Sequence, residues 1–83
     1  MNFGQALEYL KKGEKICRKG WNGKGKFVYL IAGGDAVIPG SSDESTNKIK
    51  FNPYMVIKNV NDSISTWVPS VNDCLSEDWE IKE

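Results

Sequence analysis

Phe3, Ala6, Leu7 and Leu10 recur at i, i+3, i+4 and i+7, which places them on one face of a helix over residues 3–12. Asn2 is a good N-cap for that helix, and Gln5 three positions on completes a capping-box pattern. Gly13, after Lys11 and Lys12, suits the C-terminus. Residues 16–19 are short and β-like. The run Gly20-Trp21-Asn22-Gly23-Lys24-Gly25 contains Asn-Gly, a strong hairpin signal. Residues 27–32 form a near-continuous apolar run expected to be a central strand, paired through the Trp21 turn with residues 16–19.

Residues 33–53 read as a long loop, holding Gly33-Gly34, Pro39-Gly40, Ser41-Ser42 and Asn52-Pro53, with room for a short strand at Val37-Ile38. Unstructured loops of this length are uncommon inside small domains and tend to be functional or disordered. Residues 54–59 and 64–68 are β-rich, and Asn61-Asp62 between them fits a tight turn. Pro69 ends the second strand. Ser70 and Asp73 make another capping pattern, and Val71, Cys74 and Leu75 then share one face of a short helix. Asp78-Trp79-Glu80-Ile81 alternates polar and apolar, as a half-buried strand does. The elements predict an α+β fold: a small antiparallel sheet with an N-terminal helix and a short C-terminal helix, in a single domain over residues 1–83.

At 83 residues the core is thin, and a second copy or partner would help to stabilise it. Eleven basic and eleven acidic residues cancel, which argues against a general DNA or RNA binder. There is no apolar run of about 18 residues to span a membrane. Lys11 and Lys12 follow the first apolar stretch instead of preceding it, unlike a signal peptide, so a cytoplasmic location is expected. Histidine is absent, which removes the commonest general base and metal ligand and every Ser-His or Cys-His nucleophile pair. Cys17 and Cys74 lack zinc-site spacing and are expected to be reduced thiols, mostly buried. Glu77 and Asp78, as strand neighbours, point to opposite faces and make no acid–base pair. Gly33-Gly34 lacks the spacing of a dinucleotide fingerprint. No catalytic residue, metal site or cofactor is expected, and the chain reads as a binding module.

The candidate ligand residues are aromatic and polar. Trp21 sits among glycines, where a flat indole can stack on a base and the backbone admits a close ligand. The alternative is that it folds back as a lid on the core. Asn22 beside it can donate and accept. Gly23 and Lys24 complete the turn, and Lys24 and Lys26 are the natural phosphate partners unless simply solvated. Trp67 precedes a helix N-terminus, a location that favours phosphate, or else faces the core in its strand. Asp73 either contacts ribose hydroxyls or an amine, or caps its helix. The two roles are compatible only if one carboxylate oxygen stays free. Tyr54 after Pro53 is placed at the mouth of a cleft or in ordinary strand packing. Phe51 in the long loop is a further candidate to fold over a ligand. Trp79 reads as core.

The blocks Gly13, Arg18-Lys19-Gly20-Trp21-Asn22-Gly23-Lys24-Gly25 with Phe27-Val28-Tyr29-Leu30, then Pro53-Tyr54, then Trp67-Val68-Pro69-Ser70, Asp73-Cys74-Leu75 and Glu77-Asp78-Trp79 agree in order and spacing with one family. The chain resembles small phage and bacterial proteins that include the phage anti-Thoeris proteins of the second type. The resemblance covers nearly the whole chain outside the central loop. It implies a sponge that binds, without degrading, the cyclic ADP-ribose isomer made by a TIR-domain enzyme. It implies homotetramers with pockets at subunit interfaces, and cyclic dinucleotides held at a separate surface in some members. On this reading Trp21 and Trp67 stack on the ligand, Asn22 and Asp73 supply polar contacts, and Tyr54 lies nearby. Relatives often carry glutamine where this chain has Val71, which puts affinity and ligand choice in question. A different class of function, a protein-interaction module that blocks a host factor through an aromatic surface, is the alternative, and an enzyme is disfavoured by the missing catalytic groups.

Overall fold

The computed structural model describes residues 1–21, 25–37 and 48–83. Helix α1 (Phe3–Lys11) begins with the expected capping box: the Asn2 side chain accepts from the Gln5 N–H, and the Gln5 side chain accepts from the Asn2 N–H. Its buried face is Ala6 and Leu10, flanked by the partly buried Phe3 and Leu7, so the sequence periodicity marks the face turned to the core.

The strands are β1 (Ile16–Arg18), β2 (Phe27–Ile31), β3 (Gly34–Val37), β4 (Lys48–Phe51), β5 (Tyr54–Lys58), β6 (Ile64–Thr66) and β7 (Trp79–Ile81), with α2 (Val71–Leu75) between β6 and β7. Five of them form an antiparallel sheet in the order β6-β5-β2-β1-β7. The fold is α+β, as expected. β1 lies beside β2 through the pair Ile16–Val28, while its other edge pairs with β7 over three residues. The β5–β6 turn falls at Asn61-Asp62 as anticipated. Asp62 takes φ 66° there, a conformation that Asp tolerates better than most residues.

Residues 33–53 are not one long loop. β3 and β4 pair antiparallel, with Gly34 opposite Phe51 and Val37 opposite Lys48. They continue the β2–β5 register: Ile31 faces Tyr54, and three residues further along both strands Gly34 faces Phe51. The ladder is interrupted between them because Pro53 has no N–H to donate. Gly33 passes so close that a Cβ there would meet the Phe51 carbonyl oxygen at 2.6 Å. The result is a two-stranded arm on the body. The radius of gyration is accordingly 15.8 Å, against about 12 Å for a spherical domain of this length. Val37 lies in β3, and Ile38 falls outside the described residues.

Strand alternation sorts the sheet into two faces. One carries Ile16, Val28, Ile57 and Trp79, which with Ala6 and Leu10 of α1 make the buried core. The other carries Phe27, Tyr29, Ile31, Val56 and Ile64, with Lys15 and Lys58 at the side. These residues line an open apolar concavity of about 330 Å³.

Candidate functional site

Trp79 anchors the corner where the candidate residues meet. It is 1% exposed, and its indole N–H donates to the Asp73 carbonyl over 2.9 Å. A buried indole needs such a partner, and this bond ties β7 to α2. Three more aromatic rings pack around it: Phe3 at 5.2 Å, Trp21 at 5.4 Å and Trp67 at 6.1 Å between centroids. Trp21 and Trp67 also meet each other at 6.4 Å in an edge-on arrangement. Both are half-buried and packed against the core, so the lid and the ligand platform are not exclusive for Trp21: part of its ring closes the core and part remains accessible.

Arg18 organises the polar side of this corner. Its Nη1 donates to Asp73 Oδ1 and its Nε to Asp78 Oδ1, each over 2.9 Å. The remaining Asp78 oxygen accepts the Gly20 N–H, also at 2.9 Å, and the Trp21 N–H donates to the Arg18 carbonyl. A Cβ at Gly20 would lie 2.9 Å from Asp78 Oδ2, so any larger residue there would push the carboxylate out of this position. The start of the Trp21 turn is thus fixed by a side chain from the far end of the chain. Sequence reasoning passed over Arg18. The available signal is that a charged residue stands two positions from Ile16 in a strand, on the side that faces the core.

Asp73 carries the helix cap and the ion pair together. Its Oδ2 accepts the Ser70 N–H at 2.9 Å, its Oδ1 accepts Arg18, and its own N–H donates to the Ser70 hydroxyl. Both carboxylate oxygens are therefore engaged within the protein, and a ligand contact from Asp73 would have to use their second lone pairs. Burial pushes its pKa up, but the hydrogen bonds from Ser70 and Arg18 outweigh burial and hold it below the ordinary 3.8. Asp78 is lowered as well, first by its hydrogen bond from Arg18 and then by that from Gly20.

The remaining candidates divide. Phe51 and Tyr54 pair with each other at 6.2 Å near the base of the arm and are both partly exposed. Trp67 follows the register that sets its N–H on the Met55 carbonyl, so it shares the core face with Met55, whereas Tyr54 alternates to the other face. Within one chain these two residues stand apart from the Trp21–Trp67 corner. Asn22, Gly23 and Lys24 lie outside the described residues. Lys26 is described, and its ammonium lies over the Trp21 ring, 5.2 Å from the centroid. Val71, Cys74 and Leu75 are exposed and do not pack inward; the buried residue of α2 is Asp73. Among the described residues no cluster of three or more His, Cys, Asp or Glu could hold a metal ion, and no helix is long and apolar enough to cross a membrane.

The comparison with known proteins is decided by a match to the model of the Thoeris anti-defense 2-like domain over residues 1–82. The chain belongs to that family. It is also 42% identical over 87 aligned residues to Thoeris anti-defense 2 from Bacillus phage SP01, covering 98% of this chain and 93% of the relative. The Tad2-like match takes in every element described above, from α1 through β7. The arm formed by β3 and β4 is therefore part of the Tad2-like domain in this chain.

Proposed function

We propose that the protein counters Thoeris defence by capturing a cyclic ADP-ribose isomer made by a TIR-domain enzyme and holding it unaltered, as a stoichiometric sponge. Membership of the Thoeris anti-defense 2-like family supports the anti-Thoeris role. The observation that carries the binding mode is the Trp21–Trp67 pair: two half-buried indoles 6.4 Å apart, one on a glycine-bordered turn held by Asp78. Stacking on such rings is worth about 1–3 kcal/mol per base and needs no chemistry at the ligand. On this reading Asn22, Gly23 and Lys24 close the turn around the ligand, and Asp73 acts chiefly by fixing Arg18. Capture takes place in the cytoplasm of the infected bacterium, and cyclic dinucleotides are a second ligand class.

The same reading includes a homotetramer with pockets at subunit interfaces. Two features support association. The outer sheet face is an apolar concavity that α1 does not cover. Tyr54 and Phe51 stand apart from Trp21 and Trp67 within one chain, so a pocket using all four would draw them from two copies.

Titration calorimetry with cyclic ADP-ribose isomers, followed by heat denaturation and analysis of the released ligand, tests the proposal. Tight binding and recovery of intact ligand are expected. Recovery of a cleaved product would sink the sponge in favour of an enzyme. A second reading, a module that blocks a host protein, is favoured by one observation: Val68, Val71 and Leu75, all in the segment that follows Trp67, are each exposed by more than 70%. An absence of heat with every cyclic nucleotide would favour that reading.

A further inference from the structure

Lys26 stands directly before β2, and the rotatable bonds of its four-carbon stem let the ammonium change partners. The side chain is half-buried and lies along Trp21, with the ammonium 5.2 Å from the ring centroid. A base that stacked on this face of Trp21 would need the place the ammonium holds. The same indole also packs in T-shaped contacts with Trp79 and Trp67. The ammonium and a base thus compete for one surface.

We propose that Lys26 is a specificity-determining residue of this site: it leaves the Trp21 face when a nucleotide stacks there and pairs with the ligand's phosphate. The inference rests on the ligand reading given above. The exchange favours charged ligands for a simple reason. The attraction of an ammonium for an indole is weak at a partly exposed site, whereas a charge-assisted bond to a phosphate oxygen is among the stronger polar contacts. A phosphate-bearing ligand replaces the lost contact with a better one. A neutral nucleoside displaces the ammonium and gives nothing in return. Lys26 therefore acts as a gate that selects for phosphate, on the same indole that supplies stacking to either ligand.

The experiment is calorimetric titration of wild-type protein, Lys26→Ala and Lys26→Arg with adenosine, ADP-ribose and a cyclic ADP-ribose isomer, at low and high salt. Lys26→Ala is expected to weaken the phosphate-bearing ligands by about tenfold or more, as loss of a charge-assisted bond does. It should flatten their salt dependence, because one screened charge pair is gone. Adenosine should bind Lys26→Ala as well as, or better than, wild type, and Lys26→Arg should keep the preference for phosphate. Where Lys26→Ala lowers the melting temperature, Lys26→Met, which keeps an apolar stem without the charge, carries the same comparison. Unchanged affinity and salt dependence in Lys26→Ala, with wild-type binding intact, would overturn the inference alone. No binding of any probe by wild type would overturn the ligand reading and the inference with it.

Discussion

Arg18 and Asp78, 60 positions apart in sequence, meet in a 2.9 Å ion pair whose second carboxylate oxygen grips the Gly20 N–H. The pair joins β1 to the segment before β7 and sets the first peptide of the turn that carries Trp21. Asparagine has one oxygen where aspartate has two, so Asp78→Asn must give up either the Arg18 bond or the Gly20 bond. The expected result is a several-fold loss of ligand affinity, about five- to tenfold if one such bond is lost, with a smaller change in melting temperature. Equal affinity in Asp78→Asn would mean that the turn keeps its shape without this clamp.

The carboxylates also set the pH range of stability. Asp73 and Asp78 both have folded-state values below 3.8. Each contributes stability that is complete above 3.8 and is lost as pH falls through its lowered folded value. At the alkaline end, burial raises the Cys17 thiol above its ordinary 9.0, and the charge of Glu80 adds to this. That contribution is complete below 9.0 and is lost as pH rises through the raised value. Urea midpoints measured across pH should therefore be flat through neutrality and fall at both ends. Asp73→Asn should shrink the acid limb, and Cys17→Ser the alkaline one.

The two kinds of tryptophan should respond differently to truncation. Trp79→Ala removes a ring that is 1% exposed and should cost about 3–5 kcal/mol, enough to unfold much of a domain this small. Trp21→Phe keeps an aromatic lid on the core and should leave the melting temperature within a few degrees, while the smaller ring stacks less and ligand affinity falls by about threefold or more. Chemical denaturation and calorimetry on the same samples separate the effects. Wholesale unfolding of Trp21→Phe would show that its role in the core outweighs its role at the surface.

Association through the outer sheet face predicts that one charge there disperses the assembly. Ile31 lines the apolar concavity and is half-buried in the single chain. Ile31→Lys can extend its ammonium to water in a monomer but not in a packed interface. Sedimentation analysis should show a shift to smaller species with the circular dichroism spectrum retained. An unchanged assembly would place the interface elsewhere.

How much of this was legible in the sequence depended on whether the deciding interaction was local. The spacing of Phe3, Ala6, Leu7 and Leu10 marks a helix face, and the Asn2–Gln5 and Ser70–Asp73 pairs cap their helices as their separations suggest. Trp79 in a polar-apolar alternation is core, as expected. The arm was hidden because its alternation is short and bounded by Gly33-Gly34 and Asn52-Pro53, residues that ordinarily announce loops. The Val71, Cys74 and Leu75 face follows helical spacing yet faces outward, because a helix of only five residues is oriented by the Asp73 and Trp79 contacts instead. Arg18 shows no local sign of its clamping role, because both its partners lie more than fifty residues away.

The shared register of β2 with β5 and β3 with β4 has an evolutionary corollary. Because both pairs count residues from the same frame, the sequence between Val37 and Lys48 can lengthen or shorten without disturbing any pairing below it. A single deletion at Ala32 or Gly33 has a different effect. It would shift the whole arm by one position against its partner and turn each side chain of that strand to the opposite face. Variation should therefore accumulate at the tip, while the junction with the body tolerates changes only when both strands change together.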